Sequence, residues 1–246
     1  MYVNIESIKK MDYYGQEAYK TLRTNVQFLG KDTKVVAFTS CMPNEGKSSV
    51  TFNLAYSMAE AGKKVLFIDA DLRKSVLIGR YKISDGGKGL SHFLSGISPI
   101  DEVLANTNVP NLSMIVSGPV PPNPSELLQT ELFKSFISAT RQLYDYVFID
   151  TPPLGSVIDC AVVARYCDGI ILIIEANKNS YKFVQKVKEQ IDMTDCKLLG
   201  AVINKVNIAE KKGYYGKYYG KYYGKYYGKY YRDEEKEEAD KNLLNR

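Results

Sequence analysis

The chain has a single histidine, four cysteines and no long apolar run, and each scarcity removes a class of function. One imidazole, His92 in Gly89-Leu90-Ser91-His92-Phe93-Leu94, builds neither a histidine-based triad nor a His-rich metal site. It lies among apolar residues and reads as structural. Cys41, Cys160, Cys167 and Cys196 show no C-x-x-C spacing. A zinc or dithiol redox motif is therefore unsupported, and free thiols in a reducing cytoplasm are expected. The longest aliphatic stretch, Ile170 to Ile174, is strand-sized, whereas a membrane helix needs roughly 20 apolar residues. The first ten residues lack the apolar core of a signal peptide. What remains is ordinary globular composition, 45% hydrophobic and 25% charged over 246 residues, enough for one large domain or two small ones.

Net charge is also small over most of the chain. The net +5 divides into about +2 for residues 1–206, +5 for 207–231 and −2 for 232–246. A nearly neutral body gives no electrostatic footprint for nucleic acid, and none is expected as a partner. The basic excess belongs to a tail in which Gly213 to Tyr231 reads GYYGKYYGKYYGKYYGKYY. This stretch holds ten of the 20 tyrosines and no aliphatic residue. Each glycine there costs up to about 1 kcal/mol in a helix relative to Ala, so a flexible solvated segment is expected over residues 207–246.

The rest of the sequence is rich in apolar strand-like runs, at residues 35–40, 65–69, 112–118, 146–150, 169–176 and 198–205. Helical patterns lie between them, over about 48–61, 125–142, 157–166 and 180–193, with a further one at 14–29. Strands apolar on both faces, alternating with helices, predict an α/β fold: a doubly wound, mostly parallel sheet covered on both sides. Asn123-Pro124-Ser125-Glu126 supplies an N-cap, a proline at the first helical position and a capping-box acid.

Chemistry concentrates after three of these strands. The first enters Ser40-Cys41-Met42-Pro43-Asn44-Glu45-Gly46-Lys47-Ser48-Ser49, followed by a helix. This is the strand-loop-helix context of a P-loop, with Cys41 at the first glycine position. In such a loop the amides would surround phosphate oxygens, Lys47 would reach the β- and γ-phosphates, and Ser48 would bind Mg²⁺. The second run ends in Asp69-Ala70-Asp71-Leu72-Arg73, and the fourth in Asp150-Thr151-Pro152-Pro153. Parallel sheets bind ligands beyond the carboxyl ends of their strands. Three acids are therefore expected to meet near the phosphates, with Asp150 in the Walker B position.

These motifs resemble those of the bacterial tyrosine kinases (BY-kinases) of capsular and exopolysaccharide synthesis. That family has a variant P-loop, a D-x-D-x-R Walker A′ motif, a D-T/S-P-P Walker B motif and a C-terminal tyrosine cluster, here in that order. The run Gly118-Pro119 through Leu128 matches as well, and the resemblance covers about residues 14–231. Asn44 stands where the family usually has glycine, and Asn tolerates left-handed backbone angles.

The resemblance implies a P-loop kinase domain over 31–206 that binds ATP through Asn44, Glu45, Gly46, Lys47, Ser48, Ser49 and Asn204. It implies a Mg²⁺ site of Ser48, Asp71 and Asp150, and catalysis by Lys47, Asp69, Asp71, Asp150 and Arg73. Asp69 is the candidate for accepting the tyrosine proton, an order against Asp71 that the pattern leaves open. Autophosphorylation is implied at Tyr214, Tyr215, Tyr218, Tyr219, Tyr222, Tyr223, Tyr226, Tyr227, Tyr230 and Tyr231. Glu17, Lys20 and Arg23 resemble the family's E-x-x-R-x-x-R motif for ring-like homo-oligomers, with Lys20 in place of the first arginine, on one face of an N-terminal helix within residues 1–30. A split form is implied, cytoplasmic and recruited to the membrane's inner face by an adaptor. A cognate tyrosine phosphatase is implied too.

Two other readings compete. A ParA/MinD-type ATPase switch shares the P-loop, but its signature lysine would stand at Met42, and such switches lack a tyrosine tail. Alternatively, the tyrosines form a stacking platform for single-stranded nucleic acid.

Overall fold

The computed structural model describes residues 1–7, 11–83 and 87–207. Met1–Lys205 form one compact unit. Of the second unit, residues 206–246, only Val206 and Asn207 are described. The tyrosine cluster and the rest of the expected tail lie outside the described residues.

The core of the first unit is an eight-stranded sheet. In chain order its strands are β1 (Tyr2–Val3), β2 (Val35–Ser40), β3 (Val65–Asp69), β4 (Ala105–Thr107), β5 (Leu112–Ile115), β6 (Tyr146–Asp150), β7 (Gly169–Glu175) and β8 (Leu198–Asn204). Across the sheet they run β1-β4-β5-β3-β6-β2-β7-β8. All neighbours are parallel except β4 and β5.

Alternation along each strand divides the core into two layers. Val35, Ala37, Leu66, Ile68, Val147, Ile149, Ile170 and Leu172 pack on one face. Val36, Phe38, Val65, Phe67, Phe148, Ile171 and Ile173 pack on the other. The first face is covered by α4 (Leu90–Leu94), α6 (Glu131–Leu143), α7 (Asp159–Ala164) and α8 (Tyr181–Asp192). The second is covered by α2 (Lys47–Glu60) and α3 (Leu77–Tyr81), with α1 (Tyr13–Gln27) contributing Val26. A fully buried Phe or Leu contributes about 1.5–3 kcal/mol relative to exposure. Phe38, Phe67 and Phe148, at 0% exposure, therefore anchor the strands that carry the motifs. The expected doubly wound sheet is the observed one.

Two expectations are corrected. The helix expected over 125–142 is two helices, α5 (Pro124–Leu127) and α6. Thr130 separates them: its hydroxyl donates to the Leu127 carbonyl (2.8 Å) and accepts the Phe133 N–H (3.3 Å), capping α6. Asn123 makes no side-chain cap bond at the start of α5. Its amide instead donates to the Glu126 carboxylate at 2.8 Å. His92 keeps its structural role, with Nδ1 accepting the Gly89 N–H at the start of α4 (3.3 Å). Among the described residues, no helix is long and apolar enough to cross a membrane.

Candidate active site

The sheet order places β6 between β3 and β2, so three motif-bearing strand ends are adjacent. Asp69 and Asp150 are direct register partners. The Ala70 N–H donates to the Asp150 carbonyl (2.8 Å), and the Thr151 N–H to the Phe38 carbonyl (3.0 Å). The acids are thus held by backbone pairing rather than by loop conformation.

The P-loop leaves β2 and re-enters α2 through two left-handed residues, Asn44 (φ 66°) and Gly46 (φ 88°). Asn44 adopts the conformation for which the family uses glycine. Gly46 is required for two reasons. Left-handed backbone penalises a Cβ by about 1–2 kcal/mol, and a Cβ here would sit 2.1 Å from Nδ2 of Asn204. That amide donates to the Glu45 carbonyl at 2.8 Å, and Nζ of Lys205 donates to the Asn44 carbonyl at 2.6 Å. The end of β8 therefore grips the loop.

Glu45 is fully buried and its carboxylate shapes the loop. It accepts the Met42 N–H (2.8 Å), the Glu175 N–H (3.4 Å) and the Asn179 amide. Gly155 belongs to the same packing, because a Cβ there would meet the Cys41 carbonyl at 2.2 Å. Burial pushes the Cys41 thiol up to about 12, with the Glu45 charge adding to the effect. Cys41 is thus an inert filler at the first glycine position.

Lys47 is buried and points into the acids. Its ammonium lies 2.7 Å from Oδ1 of Asp150 and 3.9 Å from Oδ2 of Asp71, and 3.3 Å from Oγ of Ser48. Among the described residues, the other Asp150 oxygen is buried without a hydrogen-bond partner. Burial raises the Asp150 carboxyl, while Lys47 pulls it back. Asp69 is pushed up to about 7, first by burial and then by the Asp150 charge. The Ser75 hydroxyl, which donates to Asp69, and the Lys47 charge oppose the rise. Asp71 accepts the backbone N–H groups of Arg73 (3.3 Å) and Lys74 (3.0 Å).

An orphaned carboxylate oxygen beside a serine hydroxyl and a lysine fits a divalent cation together with phosphate. Among the described residues, no three His, Cys, Asp or Glu side chains form a cage that would hold a metal by themselves. Magnesium-type sites use one or two carboxylates and take their remaining ligands from phosphates and water.

The structure therefore brings together Lys47, Ser48, Asp69, Asp71 and Asp150, with Asn44, Glu45, Gly46 and Asn204 forming the loop behind them. Ser49 follows on α2, where its hydroxyl accepts from Arg80. Arg73 leaves the cluster to bind Asp159 through Nε (2.8 Å) and Nη2 (2.9 Å). On α1, Glu17 and Lys20 form an exposed pair at 2.7 Å. Arg23 instead donates to the Ser57 carbonyl (2.9 Å) and hydroxyl (3.2 Å) on α2. Sequence reasoning missed Asp159, Ser75, Asn179 and Arg80. Asp159 had one faint signal, an acid opening a helix, a position acids favour for the helix dipole alone.

A phosphate-shaped loop, a buried lysine and converging carboxylates beyond parallel strands define a P-loop protein that binds nucleotide with a divalent metal. Residues 33–201 match the AAA domain family. The tyrosine-protein kinase CpsD of Streptococcus agalactiae is 45% identical over 201 residues, covering 82% of this chain and 86% of that protein. The kinase domain of the Escherichia coli tyrosine kinase ETK superposes with a TM-score of 0.73 at 32% identity, covering 81% of this chain and 80% of that one. MinD from Pyrococcus horikoshii, solved with Mg-ADP, shares the fold at 22% identity and a TM-score of 0.62. The chain belongs to the bacterial protein-tyrosine kinases.

Proposed function

We propose that the chain transfers the γ-phosphoryl group of Mg-ATP to tyrosines of its own C-terminal cluster, Tyr214 to Tyr231, in trans within a homo-oligomer. By its resemblance, this controls capsular or exopolysaccharide synthesis with a membrane adaptor and a cognate phosphatase. The observation that carries the reading is the pairing of Asp69 and Asp150 beside Lys47, in a chain that also supplies ten tyrosines.

The proposed reaction forms a bond from the phenolic oxygen to the γ-phosphorus and breaks the bond to the bridging oxygen, whose electron pair leaves with ADP. Bound Mg²⁺ would supply charge neutralisation and alignment of the phosphates, with Ser48, Asp71 and Asp150 as its holders. Lys47 and the loop amides offset phosphate charge. Asp69 takes the phenolic proton. A phenol titrates near 10 and an ordinary carboxylate near 4. A carboxylate held at about 7 therefore narrows the gap from about six units to about three. At about 1.36 kcal/mol per unit, that removes roughly 4 kcal/mol from the proton transfer.

Intact-mass spectrometry after incubation with ATP and Mg²⁺ tests the reading. Serial phosphate increments are expected. They should vanish in Lys47→Met and in a chain ending at Gly213. A fused cytoplasmic segment of a candidate adaptor supplies the activator if the chain is silent alone. Nucleotide hydrolysis without phosphotyrosine even then would replace this reading with the ParA/MinD-type switch.

A further inference from the structure

We propose that Asp159 is a positioning residue for phosphoryl transfer, acting through Arg73. This rests on the kinase reading and adds a residue that no motif contains. Asp159 lies in the first turn of α7 and is fully buried. Both its carboxylate oxygens are bound by one guanidinium, Oδ2 by Nε at 2.8 Å and Oδ1 by Nη2 at 2.9 Å. The Arg73 side chain is 37% exposed. Its backbone N–H is held by Asp71, the acid that faces Lys47.

The geometry has a consequence for the guanidinium. A side-on fork uses two of its five N–H donors and fixes the plane of the group. Three N–H donors remain outside the fork, on a half-exposed guanidinium whose charge interacts with that of Asp71. Their chemistry suits phosphoryl oxygens. The pair is poorly explained as a stabilising device, since even a fully buried ion pair is often no better than apolar residues of the same volume, and the Arg73 side of this one is exposed. Fixing an arginine in place is a use that an apolar replacement would lose. Preorganised donors aimed at developing charge are worth about 10²–10³ in rate where one has been removed from such a site.

The test is a double-mutant cycle on the full-length chain with Asp159→Asn, Arg73→Ala and their combination. Two quantities are read: the rate constant for phosphotyrosine formation, and the dissociation constant for inorganic pyrophosphate. Each single variant is expected to slow the reaction at least about tenfold, and the double variant to be no slower than Arg73→Ala. Pyrophosphate affinity should fall in Asp159→Asn, and should be no lower in the double variant than in Arg73→Ala. The Arg73 Nε–H resonance should be sharp in the parent chain and lost in Asp159→Asn. An Asp159→Asn effect that is equally large with and without Arg73 overturns the proposal, as does one that is absent.

A parent chain that binds pyrophosphate but never forms phosphotyrosine, even with the adaptor segment fused on, defeats the kinase reading, and the pyrophosphate cycle then decides the role of Asp159. Should Asp159→Asn fail to fold, Arg73→Lys replaces it. Lysine keeps the charge beside Asp159 but has no fork. It should be as impaired as Arg73→Ala, and a rate equal to the parent chain's would overturn the proposal.

Discussion

Asp69 and Gly46 carry the two residue-scale consequences of the site. Asp69 holds its proton up to about pH 7 in the folded chain, against an ordinary value near 4. The folded state therefore binds that proton more tightly than the unfolded state does. The resulting stability is complete below about pH 4 and is lost as pH rises through 7. Asp69→Asn removes this dependence. Its melting temperature relative to the parent chain should climb between pH 5 and 8, by a shift worth on the order of 2 kcal/mol. A difference that stays constant over that range would mean Asp69 ionises normally. On the proposed reaction, in which Asp69 is the base, the acid limb of the phosphorylation rate is expected near pH 7. At Gly46 the constraint is steric. Gly46→Ala strains a left-handed residue and drives Asn204 off the Glu45 carbonyl. Folding should weaken by about 1–2 kcal/mol, while equilibrium nucleotide binding should weaken at least tenfold because the loop loses its shape. Unaltered binding would show that Asn204 does not set the loop.

Helix α1 illustrates the element scale, because its motif residues are divided between two jobs. Arg23 bonds to Ser57 of α2 within the chain, while Glu17 and Lys20 pair in solvent. Arg23→Ala should lower the thermal stability of the dilute chain by about 1 kcal/mol. Glu17→Ala should shift it by less than about 0.5 kcal/mol and weaken self-association instead. Denaturation together with sedimentation velocity separates these effects, and equal behaviour of both variants would end the division. The same helix shows what sequence makes legible. Long amphipathic or fully apolar runs that bury against one layer, such as α2, β2 and β7, announce themselves by period. The break at Thr130 does not, because Leu128 before it and Phe133, Phe136 and Ile137 after it pack into one core and keep the pattern running. Strands β1 and β4, of two and three residues, are too short to show a period. The P-loop, Asp69, Asp71 and Asp150 were readable because strand ends fix where they meet. Asp159 was not, because its meaning lies in a partner 86 residues away.

At the scale of the whole molecule, charge is distributed in a way that chemistry can invert. Residues 1–206 carry about +2 and residues 207–231 carry +5. Each phosphotyrosine adds roughly −1.5 to −2 charges at neutral pH. Roughly three or four cancel the basic excess of the cluster, and ten would leave it strongly acidic. In a homo-oligomer every subunit brings such a segment, so repulsion grows with the number of tails gathered together. Extensive phosphorylation, beyond the roughly six phosphates at which the negative charge of the segment outweighs its original +5, is therefore expected to loosen the assembly. The effect should be strongest at low ionic strength, since the screening length falls from about 30 Å at 0.01 M salt to about 8 Å at 0.15 M. Sedimentation velocity of the phosphorylated and unphosphorylated chains, at both salt concentrations, measures this directly. The phosphorylated chain should shift to smaller species at low salt and regain size as salt is added. Identical sedimentation of the two forms at low salt would show that tail charge does not act on assembly. Its purpose would then have to be the choice of partners.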